Sequence, residues 1–345
     1  MIRMLSLFSG IGAFEKALEN LGIDFEIVNY CEVDKYASQA YSLIHDIPES
    51  KNLGDITKIN EKELPKDIDL ITYGFPCQDI SIAGAKKGFE DSEGNKTRSG
   101  LFFDAYRIIN EVKPKITIAE NVKHLTSKSM EKTFKIVLDN LEQAGYNNYW
   151  KVLNAKDYGV PQSRDRVFII SIRKDIERNF EFPSAIPLTK VMKDYLEENV
   201  PDKYYLSQEK IKKVVQHEEN HIGTICDKDG ICFTLLTRDY KDPKVIQCAD
   251  LHYYNYDVMN RVYSSKGISP TLQTAMGGGR QVKIYDHQCY RFLTPREYFR
   301  LMGFDDKDVD ILVQNKMSKT QLYKMAGNSI VVNVLEAIFK ELYDN

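Results

Sequence analysis

Residues 73–79 read YGFPCQD and set Cys77 directly after a rigid proline, at the end of an apolar run. A thiolate exposed there is a strong nucleophile when nearby positive charge lowers its pKa. Glu120 follows the apolar run Ile116–Ala119 in AENV. A carboxyl beside a buried ligand is held protonated by desolvation and can donate a hydrogen bond. Arg164 and Arg166 stand just before the run Val167–Ser171, in QSRDRVF. In an extended segment both project to one face, where paired guanidinium groups bind phosphate, carboxylate or another polar ligand oxygen.

A second constellation lies nearer the N-terminus. The first apolar run leads into Phe8-Ser9-Gly10-Ile11-Gly12, after which helical spacing begins. Glycines let backbone approach a ligand closely, and a helix N-terminus offers free amides. The dinucleotide fingerprint needs a third glycine at position 15, where Glu15 stands, so a nucleoside cofactor without a pyrophosphate fits better. Glu32 follows the second run, 20 residues after Gly12, placed to accept hydrogen bonds from ribose hydroxyls. Asp55, in Gly54-Asp55-Ile56, closes a third loop and can take an adenine amino group. Together they outline an adenosine pocket. Between Ile80 and Gly100 runs a polar, glycine-containing stretch with Lys86, Lys87, Lys96 and Arg98. It is either a disordered insertion or a lid that closes on a polyanion.

These residues need elements to hold them. Met4–Phe8, Phe25–Tyr30, Asp69–Tyr73, Ile116–Ala119 and Val167–Ser171 read as buried strands, with helical spacing near 13–21, 34–45, 101–112 and 130–144. Such alternation predicts an α/β fold on a mostly parallel sheet, whose ligands sit at the carboxyl ends of its strands. After about residue 175 the rhythm breaks. Residues 182–300 are richer in Tyr, Pro, Gly and short β-like runs, and SIVVNVLEAIFKEL from Ser329 returns to helix.

A chain of 345 residues suits one large domain and a smaller one. Its formal charge of −3 neither demands nor excludes a nucleic-acid partner, because only local clustering reveals one. No apolar run is long enough for a membrane span, and no charged-then-apolar leader opens the chain. The six cysteines form no CxxC pair, which argues against a zinc cluster, leaves no metal site in prospect, and suits the reduced thiols of a cytoplasmic protein.

Taken in order, FSGIGAF, YGFPCQD, AENVKHL, VPQSRDRVF and AGNSIVVNVLEA resemble the motifs of bacterial and phage DNA cytosine-C5 methyltransferases, and GISPTLQTAMGGGR at 267–280 looks like the motif that follows their target-recognition region. The likeness covers residues 1–175 closely and 261–345 well. It implies a Rossmann-like S-adenosyl-L-methionine-dependent domain over 1–181, completed by 318–345, with a smaller, irregular, mostly β target-recognition domain over 182–317. On that resemblance Cys77 adds to C6 of the target cytosine, Glu120 serves N3 and the amino edge, Arg164 binds O2, and Arg166 supports the site. The cofactor falls to Phe8, Ser9, Gly10, Ile11, Gly12, Glu32, Val33, Asp55, Ile56, Pro76, Asn328 and Ser329.

The same resemblance makes double-stranded DNA the partner and monomers the working form, with a cognate restriction endonuclease as a functional counterpart. Ser81 and the loop to Arg98 match the family's mobile active-site loop, and Gln78, Ser81, Lys87, Arg98, Thr234, Arg238, Thr271 and Arg280 are candidates for DNA contact. From 261 to 300 seven Lys and Arg residues face two acids, a basic bias that the overall charge conceals. Two alternatives share the scaffold. One is a tRNA cytosine-C5 methyltransferase, whose CFT signature Cys232-Phe233-Thr234 superficially matches; the GFPCQ turn and SPTLQT weigh against it. The other is a non-catalytic DNA-binding protein, against which stand the intact Cys77, Glu120, Arg164 and Arg166.

Overall fold

The structure is a computed structural model that describes residues 1–76, 98–201, 204, 247–250, 261–264, 268–269, 283–286 and 289–344. Its chain divides into two compact units, one of residues 1–154, 165–185 and 329–345, the other of 155–164 and 186–328.

The first unit is built on a six-stranded sheet. Its strands are β1 (Ile2–Leu7), β2 (Phe25–Cys31), β3 (Leu70–Tyr73), β4 (Ile116–Val122), β5 (Tyr146–Asn154) and β6 (Asp165–Arg173), in the order β2-β1-β3-β4-β6-β5. The first four run parallel, and β6 runs antiparallel to both β4 and β5. Met4 to Leu7 are buried without alternation, as in a strand covered on both faces. The expected strands are all present. The sequence reading missed β5, because YNNYWKVLN is an edge strand with one wet face rather than an apolar run; Trp150 is 46% exposed there.

Helices α1 (Ala13–Leu21), α2 (Lys35–His45), α3 (Phe102–Val112) and α4 (Glu131–Gln143) follow the expected spacing. Asp34 caps α2 by accepting from the Tyr36 and Ala37 amides, and Gly22, at φ 66°, ends α1. Leu5, Leu7, Ile71 and Tyr73 pack with Phe102, Ile108 and Ile109 of α3 and Val137 and Leu141 of α4 in one apolar cluster.

In the second unit, described strands β7 (Gln247–Asp250), β8 (Arg261–Ser264), β9 (Lys283–Asp286) and β10 (Cys289–Phe292) form one sheet in the order β10-β9-β8-β7. Helices α5 (Pro295–Leu301), α6 (Asp306–Gln314) and α7 (Lys319–Asn328) follow in the same unit. Thr294 and Glu297 form a reciprocal capping box with Pro295 at the first turn, a start signal already present in TPRE. The last helix, α8 (Val332–Tyr343), returns to the first unit and packs on α1, with Phe14 and Phe339 edge to face at 6.4 Å. The C-terminal stretch 318–345 is thus shared, α7 going to the second unit and α8 to the first. Among the described residues no helix is long and apolar enough to cross a membrane, and no cluster of His, Cys, Asp and Glu offers a metal site.

Candidate active site

Register decides what shares an edge. Leu7 pairs with Cys31 and with Tyr73, and Tyr73 pairs with Ala119. Phe8, Glu32, Gly74 and Glu120 therefore each come one residue after a common row, at the carboxyl edge of four parallel strands.

Three left-handed residues shape the first loop: Phe8 at φ 53°, Gly10 at 57° and Gly12 at 78°. Only glycine adopts this region freely, so Phe8 stores strain that points to a functional turn. The loop is tied to β2. The Ser9 amide donates to the Cys31 carbonyl at 3.1 Å, and the Gly10 amide to Glu32 Oε2 at 2.9 Å. Glu32 Oε1 accepts the Asp34 amide at 2.8 Å. Burial pushes the Glu32 pKa up, and those two amides act against the rise.

Asn52, which sequence reasoning passed over, joins this loop to the next. Its Oδ1 accepts the Glu32 amide at 3.0 Å and the Gly54 amide at 2.9 Å. Its Nδ2 donates to the Glu32 carbonyl and to Ser38 Oγ, both at 2.9 Å. An amide side chain has these four bonds to give. The one signal for it was its place just before the loop that carries Gly54-Asp55.

The site fits an adenosine group. Val33 is 78% exposed beside Glu32, an apolar face open to a purine. The Glu32 carboxylate takes amides of Gly10, Asp34 and Val33, and its four acceptor sites leave room for a ribose hydroxyl. A Cβ built on Gly10 meets nothing within 4 Å, so space is open there. Asp55 stands at the surface with Oδ1 accepting the Thr57 amide at 3.0 Å and hydroxyl at 2.8 Å, and those bonds lower its pKa. Ile11 and Ile56 are buried, and Ile56 belongs to the apolar cluster under the sheet. Cys31 is buried too: desolvation pushes its thiol to about 12, which leaves it inert.

At the other end of the row, Arg166 Nε lies 2.8 Å from Glu120 Oε1, with both side chains largely buried. The pair is diagonal across an antiparallel ladder, because Val122 stands opposite Arg166 and Glu120 is two residues away on the same face. Asn121 is buried and donates to the Phe75 carbonyl at 3.1 Å. That bond ties β4 to the Gly74–Pro76 segment leading to Cys77, a positioning role that sequence reasoning left unassigned. Phe75 itself packs against Phe102, with ring centroids 5.5 Å apart.

Cys77, Gln78, Ser81, Lys87, Thr234, Arg238, Thr271 and Arg280 lie outside the described residues, as does the side chain of Arg98. Arg164 belongs to the second unit, where it is buried and Nη2 donates to the Gly327 carbonyl at 3.1 Å. In the same unit Gln162 and Ser269 form a parallel bridge, with the Ser163 amide donating to the Ser269 carbonyl at 2.6 Å. Asn328 is exposed at the end of α7, and Ser329 is buried in the first unit. Of the seven cations counted between 261 and 300, Arg300 forms a two-pronged pair with Asp306 at 2.7 and 2.6 Å, and Arg296 pairs with Glu197 and Asp310.

A profile of the C-5 cytosine-specific DNA methylase family matches residues 2–344. The orphan methyltransferase M.SPBetaI of Bacillus phage SPbeta is 33% identical, over 99% of this chain and 97% of that protein. The type II methyltransferase M.HhaI of Haemophilus parahaemolyticus is 37% identical, over 98% of this chain and 93% of its own length. Among solved structures, the S. pombe Dnmt2 methyltransferase shares the fold at a TM-score of 0.69 and 19% identity, covering 100% of this chain and 99% of that one. Glycine turn, acidic strand end and buried Glu–Arg pair thus stand within a match that spans almost every residue, and the chain belongs to the C-5 cytosine-specific DNA methylase family, whose members are S-adenosyl-L-methionine-dependent transferases.

Proposed function

We propose that this enzyme methylates C5 of a cytosine flipped out of a specific duplex DNA sequence, through a covalent bond between Cys77 Sγ and C6. The observation that carries the reading is the single row of strand ends, with the glycine-turn loop and Glu32 at one end and the half-buried Glu120–Arg166 pair at the other.

Cytosine C5 is too weak a nucleophile to take a methyl group directly. Addition of the Cys77 thiolate to C6 makes C5 enamine-like and N3 basic. Glu120 gives its proton to N3 as that charge develops, and Arg166 Nε, on Oε1, holds the carboxyl and stabilises the carboxylate left behind. Arg164 binds O2, as the family resemblance implies. When bound, S-adenosyl-L-methionine supplies an electrophilic methyl group. Phe8 to Gly12, Glu32, Val33 and Asp55 hold it, with Ile56, Pro76, Asn328 and Ser329 completing the pocket. Loss of the C5 proton to a base then expels the thiolate, and N3 returns its proton to Glu120.

The target carbon lies inside the base stack, so the base is flipped at a cost of about a few kcal/mol, offset by contacts to it in the pocket. On the family resemblance, Gln78, Ser81, Lys87 and Arg98 contact the DNA. We assign target recognition to residues within 182–317, with Thr234, Arg238, Thr271 and Arg280 as DNA contacts, and catalysis to 1–181 with 318–345. The enzyme acts as a cytoplasmic monomer, in restriction-modification beside a cognate endonuclease, in phage protection or in epigenetic marking. The match of residues 2–344 to the C-5 cytosine-specific DNA methylase family supports DNA over tRNA as substrate.

Bisulfite sequencing of DNA from cells expressing the protein tests the reading. Protected cytosines in one short sequence context are expected, and their complete loss in Cys77→Ser. Methylation that persists in Cys77→Ser would falsify the covalent route, and activity on tRNA alone would replace the substrate.

A further inference from the structure

The glycine turn is braced from behind by the last residue of α2. The His45 side chain is wholly shielded from solvent. Its Nε2 lies 3.1 Å from the Ile11 carbonyl oxygen, inside the turn, and its Nδ1 lies 2.7 Å from Glu19 Oε1 on α1. A carbonyl and a carboxylate are both acceptors, so the ring satisfies the two at once only when both its nitrogens carry protons. The other end of the same peptide is held as well, because the Gly12 amide donates to the Ser9 carbonyl at 3.0 Å. The fit is close. A Cβ on Gly12 would stand 2.0 Å from His45 Nε2, a second reason, besides φ 78°, for glycine there.

We infer that His45 is a positioning residue for the cofactor: its protonated ring locks the Ile11–Gly12 peptide, and with it the Gly10 amide that meets Glu32, while loss of the proton frees the turn and weakens S-adenosyl-L-methionine binding. The inference rests on the cofactor site proposed above. The groups facing the ring come from three elements. Helix α1 presents Glu19 and the fully buried Glu15, α2 presents the Tyr41 ring at 4.8 Å, and the turn presents the Ile11 carbonyl. Tyr41 in turn donates to Glu15 at 2.9 Å. Burial opposes charge on the imidazole, but the bond to Glu19 and the field of Glu15 outweigh it, so the His45 pKa is raised. The sign follows. The turn is held below that pKa and released as pH rises through it.

Calorimetric titration of S-adenosyl-L-homocysteine into the full chain, from about pH 6 to about pH 9, tests this. The wild type should lose affinity toward the alkaline end. His45→Gln should bind about tenfold more weakly at the acidic end, the scale of one charge-assisted hydrogen bond, and show no alkaline decline. Glu19→Gln, altered at a side chain 35% exposed, should move the decline to lower pH. A folded His45→Gln with wild-type affinity and profile overturns the inference, and so does a Glu19→Gln profile that does not move. If His45→Gln fails to fold, Glu19→Gln decides alone. Wild-type protein that binds no cofactor at any pH would instead overturn the cofactor site itself.

Discussion

Glu120 and Arg166 share one half-buried contact, so the chemistry assigned to one is read through the other. Glu120→Gln keeps the shape but has no proton to give to N3. A fall in single-turnover methylation of about 10²- to 10³-fold is expected, with DNA affinity little changed. Equal rates for variant and wild type would remove Glu120 from the reaction. Glu32 carries the pH argument at the acidic end. Burial raises its pKa, and the Gly10 and Asp34 amides are bonded to its ionised form. As pH falls through that raised value the carboxylate is lost, and cofactor affinity falls with it, at a pH above the usual carboxylate range. Calorimetry on Glu32→Gln should show weaker binding and no acidic limb. An acidic limb that survives the substitution would assign it to another group.

At the scale of elements, the parallel strands end together but do not by themselves hold the loops that follow them. Asn52 does, bonding both sides of Glu32 and the Gly54 amide. Asn52→Ala leaves three backbone groups and Ser38 without that partner, and should cost about ten- to a hundredfold in cofactor affinity. Asn52→Asp keeps the acceptor bonds and should recover part of the loss. A change in thermal stability with cofactor affinity intact would make Asn52 structural only. Elsewhere the elements were legible to unequal degree. Buried parallel strands announce themselves as apolar runs, whereas β5 is amphipathic and was overlooked. The capping box of α5 was written in TPRE and overlooked as well.

For the whole molecule, the chain leaves the first unit at residue 155, returns at 165, leaves again at 186 and returns at 329. The long excursion contains residues 182–260 almost entirely. Exchanging that stretch for its counterpart from a relative should change the cytosine context found by bisulfite sequencing, while cofactor affinity stays within about twofold. An unchanged context would move target recognition elsewhere in the chain. Local charge needs the same care at this scale. Arg296 and Arg300 entered the basic bias of 261–300, yet both are paired with acids, Glu197, Asp306 and Asp310.

Sequence alone determined what depends on neighbours along the chain. The strand–helix rhythm, the glycine turn, the acid after the second strand and the cysteine after a proline are local patterns, and their order pointed to one family. Tertiary structure decided what depends on register and burial. It put Phe8, Glu32, Gly74 and Glu120 on one edge. It joined Glu120 to Arg166 across an antiparallel ladder, and placed Arg164, two residues earlier, in the other unit. It also found Asn52, Asn121 and His45, through bonds to Glu32, Phe75 and Ile11 that lie 20, 46 and 34 positions away. No local pattern encodes such bonds, because their partners become neighbours only when the sheet forms.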